Sequence, residues 1–330
     1  MASEQRARMP ISSNPRRTSK RTGLSDMGAR MQDFDPPAAV VVGIDGSKAA
    51  VRAALWAIDE AVDRDIPLRL IYAIDPHNIL GTDPDRAAHM LATADSAVRY
   101  AFMAIEASRA PVKIEVEIVQ EDPVTALTRA SHSAALMCVG AVGLRPRHAR
   151  VGSTAAALVS SAQCPLAIVR EYDSVLRRSG GWIAVQLKQS PCNSVLIELA
   201  VQEARLRRAP LRALITSQTR VGAGVGDRAA GDRDCVLDQV DRQLQAWIRR
   251  YPDMDTSSVT LDGTIVDYLA EHAPSVELIV VEADDPGRID EGSTPAERRL
   301  LSDTDSSVLI VRCNSDIYDD RAAIAGAPTA

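Results

Sequence analysis

Gly140, Gly143 and Gly152, with Ser153 and Thr154 directly behind the last, have the types and spacing to hold a phosphate chain. The run Cys138-Val139-Gly140-Ala141-Val142-Gly143 closes an apolar stretch, and eight residues later Gly152-Ser153-Thr154 opens a helix-like segment. Such a loop at the carboxyl end of a buried strand aims backbone N–H groups and a helix N-terminus at an anion, with glycines permitting close approach and positive φ. Far upstream, Val40-Val41-Val42-Gly43-Ile44-Asp45-Gly46-Ser47 is a second buried strand, ending in a carboxylate and a small-residue turn. Open α/β sheets hold ligands at such strand ends, so Asp45 and the glycine loop together point to a nucleotide. Arg145, Arg147, His148 and Arg150 lie within the loop. The arginines could neutralise a triphosphate, against the even alternative of a solvated loop, and His148 reads as a surface residue rather than a catalyst.

The elements that must position these residues follow from the alternation of short aliphatic runs with longer amphipathic segments, the mark of βαβ units and a mostly parallel sheet. Strands are predicted near 38–44, 68–74, 112–119, 135–139 and 165–170. Between them Leu91, Ala94, Val98, Ala101 and Ile105 fall at helical spacing. The same order recurs, with runs near 182–187, 211–216, 257–261, 277–281 and 307–312, and a helical segment carrying Val236, Val240, Leu244 and Trp247. Laid without gaps from Ala57 on Ala200, the halves also match Glu60 with Glu203, Arg64 with Arg207, Pro67 with Pro210 and Arg69 with Arg212. The chain is an internal duplication.

Composition agrees. At 330 residues the chain exceeds a comfortable single core, and aromatic residues are 3% against 46% apolar, so packing must rest on aliphatic side chains as in helix-covered parallel sheets. A net charge of −6 argues against a nucleic-acid binder. Five scattered cysteines, without C-x-x-C or zinc spacing, fit a reducing compartment better than a disulfide scaffold. With no apolar stretch of about 18 residues and no secretory signal, no membrane partner and a cytoplasmic location are expected.

The segmentation reads as a basic, disordered tail at 1–37, a first domain at 38–173, a polar linker at 174–180, a second domain at 181–313 and a disordered tail at 314–330. Pairing of the final strands, Leu166–Arg170 with Val308–Arg312, would cover two sheet edges within the chain.

These residues resemble the universal stress protein family, in two tandem copies covering about 38–313. Family members open with a strand ending in an Asp-Gly-Ser-like turn, as in Asp45-Gly46-Ser47, and close with G-x-x-G, about nine residues, then G-[S/T], as in Gly140, Gly143, Gly152 and Ser153. Gln163-Cys164-Pro165-Leu166 is similar to the entry of the family's final strand, in a style common among actinobacterial members. The resemblance implies two doubly wound, five-stranded parallel sheets of the adenine nucleotide alpha hydrolase-like, Rossmann-like α/β class. In ATP-binding members the strand-one Asp meets the adenosine, while the glycines and the following Ser/Thr hold phosphates beside a magnesium ion. On that pattern Asp45 maps to the adenosine end, and Gly140, Gly143, Gly152, Ser153 and Thr154 to the phosphates. The eight-residue gap is one short of the family's usual nine. A homodimer follows from the resemblance alone.

The second half departs from the pattern. Lys188 stands where Asp45 stands, and Glu282-Ala283-Asp284-Asp285 replaces Gly140-Ala141-Val142-Gly143, setting carboxylates where phosphate would sit. This half is expected to be empty of ATP and to serve as scaffold, regulator or dimerisation partner. Gly222-Ala223-Gly224-Val225-Gly226 reads as a flexible loop rather than a dinucleotide site, and Asp284, Asp285, Asp290 and Glu291 as an exposed acidic loop. No G-x-S-x-G elbow, P-loop or paired histidines suggest turnover. The leading expectation is a stress-response regulator that binds ATP and signals to an unknown protein partner by conformation. A nucleotide-free interaction module and a slow ATPase are the alternatives.

Overall fold

The computed structural model describes residues 38–76, 84–144, 151–170, 181–216, 240, 242–261, 264–272, 275–283, 304, 306–313. The first half runs β1 (Ala39–Ile44), α1 (Lys48–Asp63), β2 (Leu68–Ala73), α2 (Pro84–Ala107), β3 (Ile114–Val119), α3 (Pro123–Ser131), β4 (Ala134–Gly140), α4 (Ser153–Ser161) and β5 (Leu166–Val169). The second runs β6 (Trp182–Leu187), α5 (Asn193–Arg207), β7 (Leu211–Thr216), β8 (Thr256–Leu261), α6 (Ile265–His272), β9 (Val276–Glu282) and β10 (Ser307–Val311), with residues 242–250 also helical. All ten predicted strands form, within two residues of their expected bounds.

Strand composition explains sheet position. β1, β4 and β5, rich in Val, Ile, Leu and Ala, are buried on both faces, as central strands of a parallel sheet must be. The outer strands β3 (IEVEIV) and β8 (TSSVTL) alternate with polar residues and lie at the two edges. Charged and polar edge strands discourage pairing with other chains.

The strands form one ten-stranded sheet in the order β3-β2-β1-β4-β5-β10-β9-β6-β7-β8. Every neighbouring pair is parallel except β5 and β10, which meet antiparallel with Val308 opposite Ile168, Leu309 opposite Ala167 and Ile310 opposite Leu166. Each half is therefore doubly wound in the order 3-2-1-4-5, and the two halves are related by a pseudo-two-fold at the central seam. Successive residues alternate between two aliphatic cores. Val40, Val42, Leu136 and Cys138 face α1, α2 and their second-half counterpart α5, while Val41, Met137 and Val139 face α3, α4 and α6. On α1 a stripe of Ala50, Ala53, Ala54, Ala57 and Ala61 packs against the sheet, its short side chains allowing a close approach. On α2 the buried positions are Ala94, Val98, Ala101 and Ile105, whereas Leu91 of the expected stripe is exposed.

Both cores cross the seam, so the halves share one compact body. α1 and α5 meet there through charges at equivalent repeat positions. Arg207 bonds both Glu203 and Glu60, at 2.8 Å to the latter, and stacks over Trp56 with 4.6 Å to the ring centroid. Arg64 bonds Glu60 and lies 3.9 Å from Glu203. Glu60, Glu203 and Arg207 are almost wholly buried. Burying Glu60 and Arg207 as charges is tolerated because each meets an opposite partner. From the other side of the seam, Arg312 donates to the Val159 carbonyl of α4 at 2.9 Å.

One pairing was not foreseen in the sequence. Cys192, at the start of α5, and Cys313, just after β10, are joined by a disulfide with their Cα atoms 6.0 Å apart. The pairing was hidden because 121 residues separate them and only the sheet order brings their strand ends together. Cys138 and Cys164 are buried and lie outside any disulfide.

Candidate functional site

In a 3-2-1-4-5 sheet the chain leaves β1 on one side and returns to β4 on the other, so a crevice opens at the carboxyl ends of these two adjacent strands. Asp45 follows β1 and Gly143 follows β4. The structure brings them together. Asp45 Oδ1 accepts the Ser47 N–H at 2.9 Å, and Oδ2 accepts the Leu144 N–H at 3.3 Å, so one carboxylate bridges the two turns. The turn after β1 depends on Gly46, whose φ of +86° suits glycine.

The glycines of the motif divide by role. A Cβ on Gly143 would lie 2.7 Å from Asp45 Oδ2, so the bare backbone is what admits the carboxylate. A Cβ on Gly140 would lie 2.6 Å from the Ala49 carbonyl carbon; this glycine lets β4 close on the first turn of α1. At Gly152 the nearest atoms would be at 3.5 Å or more, ordinary contact.

Two helix N-termini face this edge, and they differ. Ser47 caps α1, its Oγ accepting the Ala50 N–H at 3.1 Å, which closes that end. α4 starts at Ser153 with Gly152 as N-cap and no side-chain cap bond. Gly152 is drawn back onto β4, its N–H donating to the Ala141 carbonyl at 2.7 Å, which sets the first turn of α4 beside the Asp45 loop. Unfilled N–H donors and the positive end of a helix dipole favour an anion. Ser153 is exposed there and Thr154 half-buried. Arg145, Arg147, His148 and Arg150 lie outside the described residues, as do the 222–226 glycines and the acidic positions 284, 285, 290 and 291.

Sequence reasoning passed over Tyr72, the penultimate residue of β2, opposite Ile44 in register. Burial, and then the Asp45 carboxylate, push its phenol above the ordinary value, so the ring borders the crevice as a neutral donor. A tyrosine at the carboxyl end of the strand beside β1 was the available signal.

The equivalent crevice of the second half lies between β6 and β9 and is filled by its own side chains. Lys188 Nζ, at the Asp45 position, lies 3.4 Å from Glu282 Oε2, at the Gly140 position. Ser190 Oγ donates to Glu282 Oε1 at 2.9 Å and accepts the Cys192 N–H at 3.1 Å. Asn193 Nδ2 donates to the Lys188 carbonyl at 2.8 Å. The disulfide spans the same edge, from the start of α5 to the end of β10.

Comparison with known proteins agrees with the duplicated architecture. Residues 38–170 match the model of the Universal stress protein family. Universal stress protein Rv2028c of Mycobacterium tuberculosis is 47% identical over 287 residues, covering 85% of this chain and 98% of that one. Universal stress protein Rv2624c of the same organism is 35% identical over 274 residues, with 83% and 96% covered. Among solved structures, a universal stress protein from Archaeoglobus fulgidus superposes over 83% of this chain and 98% of that one, with a TM-score of 0.59 at 15% identity, a likeness of fold. The leading half matches the family's own pattern and tandem relatives match nearly end to end, so the chain belongs to the universal stress protein family.

Proposed function

We propose that the protein is a stress-response regulator whose first half binds ATP in the β1/β4 crevice and whose second half is a nucleotide-free scaffold. The observation that carries this reading is the Asp45 carboxylate bridging the two switch-point turns, beside a helix N-terminus that no side chain caps among the described residues. The polyphosphate, with magnesium as counter-charge, would lie against the first turn of α4, with Ser153 and Thr154 as hydroxyl ligands. Asp45 would meet the sugar hydroxyls at the opposite end, a carboxylate being an acceptor for paired O–H donors. The chain's role is sensing rather than turnover: binding shifts the population of a surface read by a protein partner in the cytoplasm.

Mass spectrometry of small molecules released on denaturing the purified protein tests this. An adenine nucleotide should accompany the wild type and be lost with Asp45→Ala. Wild type and variant releasing the same molecules, or neither releasing a nucleotide when purified with millimolar ATP and magnesium, would overturn it.

A further inference from the structure

The second half has lost the family's glycines at its switch point and gained a different set of ligand atoms. Cys192 Sγ, Cys313 Sγ and a Glu282 carboxylate oxygen all lie within 4.8 Å of one another. They come from three separate elements, the start of α5, the end of β10 and the end of β9, and sheet order alone assembles them. We propose that, once the disulfide is reduced, these three groups form a binding site for a thiophilic divalent cation, with zinc the ion of choice.

The geometry suits zinc. Two thiolates at about 2.3 Å from a tetrahedral ion lie roughly 3.8 Å apart, and a carboxylate oxygen at about 2.0 Å completes a triangle of the size these atoms span. Cα atoms 6.0 Å apart serve a chelating pair as well as a bonded one. Three protein ligands leave a fourth position for water or an exogenous donor. Charge also balances: two thiolates and a carboxylate exceed the ion's charge by one, and Lys188, 3.4 Å from Glu282, supplies the compensating cation. Ser190, donating to Glu282 Oε1, fixes the orientation of the carboxylate as an outer-shell partner does.

The chemistry is closed. A dithiol reductant delivers two electrons and two protons to the sulfur–sulfur bond, giving two thiols and leaving the reductant as its own disulfide. Zinc then binds the two sulfurs as thiolates, and both thiol protons pass to solvent. Reoxidation with metal release reverses the sequence. Cys313 adjoins Arg312, which bonds α4 of the first half, so the state of the pair is set one residue from the seam.

The test uses the full chain, reduced with a phosphine that is then removed without air, and titrated with cobalt(II) as the probe. A sulfur-to-cobalt charge-transfer band should appear, saturate at one ion per chain and vanish when zinc is added. Cys313→Ser, at a half-buried position that should not disturb folding, should lose most of the band; Cys192→Ser should do the same, and Cys235→Ser should leave it intact. Glu282→Gln should retain the band with weaker affinity, and Lys188→Met should weaken affinity about tenfold to a hundredfold, as loss of an outer-shell partner does. No band in the reduced wild type, an undiminished band in folded Cys313→Ser, or a pair that resists the phosphine would overturn the proposal.

Discussion

Gly140 and Gly152 occupy the same motif but answer different physical demands. An added methyl at Gly140 runs into the Ala49 backbone, which cannot retreat without moving the first turn of α1. Gly140→Ala should therefore cost about 1–3 kcal/mol in urea unfolding, the range of an overpacked site. Gly152→Ala meets no close contact and forfeits only the N-cap preference of glycine over alanine, so it should cost less, about 0.5–1 kcal/mol. A reversed ranking would refute these roles. Asp45 and the glycine loop were legible in the sequence because each closes an aliphatic run whose strand character fixes its end of the sheet. The division of labour among the glycines was not legible, since it depends on distances between elements more than 90 residues apart. Lys188 and Glu282 each read as a loss at its own position. Only their 3.4 Å separation turns two losses into one ion pair.

At the scale of elements, α4 joins the candidate site to the rest of the molecule. Its N-cap, Gly152, brings no side-chain bond to the end beside the Asp45 turn, and in its last turn Val159 receives a hydrogen bond from Arg312 of the other half. A guanidinium at a helix C-terminus satisfies an orphan carbonyl and opposes the helix dipole. Arg312→Ala should lower stability by roughly 1.5–3 kcal/mol, the worth of a hydrogen bond to a charged group. An unfolding midpoint unchanged from the wild type would show that the bond carries no weight. The strands themselves were readable, because aliphatic runs of strand length, together with the alternating runs of β3 and β8, recur at a spacing that leaves little choice of element. Leu91 lies in the helix its spacing predicted and is exposed, since helical periodicity marks a stripe without saying where the sheet stops covering it.

Across the whole molecule, the pseudo-two-fold places Glu60 and Glu203 side by side at the seam, with Arg64 and Arg207 facing both, Glu277 of β9 3.7 Å from Arg207, and the Cys138 thiol of β4 kept neutral by burial and the two carboxylates. Burial, and then the Glu60 charge, push Glu203 up to about 8. Burial acts the same way on Glu60, but Arg207 and Arg64 outweigh it and hold Glu60 below the ordinary 4.5. Between pH 4.5 and about 8 the folded chain thus keeps a proton on Glu203 that the unfolded chain has released, so this group's stabilisation is full below 4.5 and fades as pH rises towards 8. Glu60 has the opposite sign, its contribution being lost as pH falls below 4.5. Glu203→Gln should flatten the decline between pH 5 and 8 in denaturant titrations; an unchanged slope would assign the decline elsewhere. The matching positions were visible in the repeat, but not that a two-fold would press them together. The central claim, that one half of the duplicated sheet keeps a crevice for polyphosphate while the other has filled its own with Lys188 and Glu282, is tested most directly by calorimetric titration of the intact chain with ATP and magnesium. The account predicts saturation at one nucleotide per chain, abolished by Asp45→Ala and untouched by Lys188→Ala; two nucleotides per chain, or binding that survives the first change and fails with the second, would contradict it.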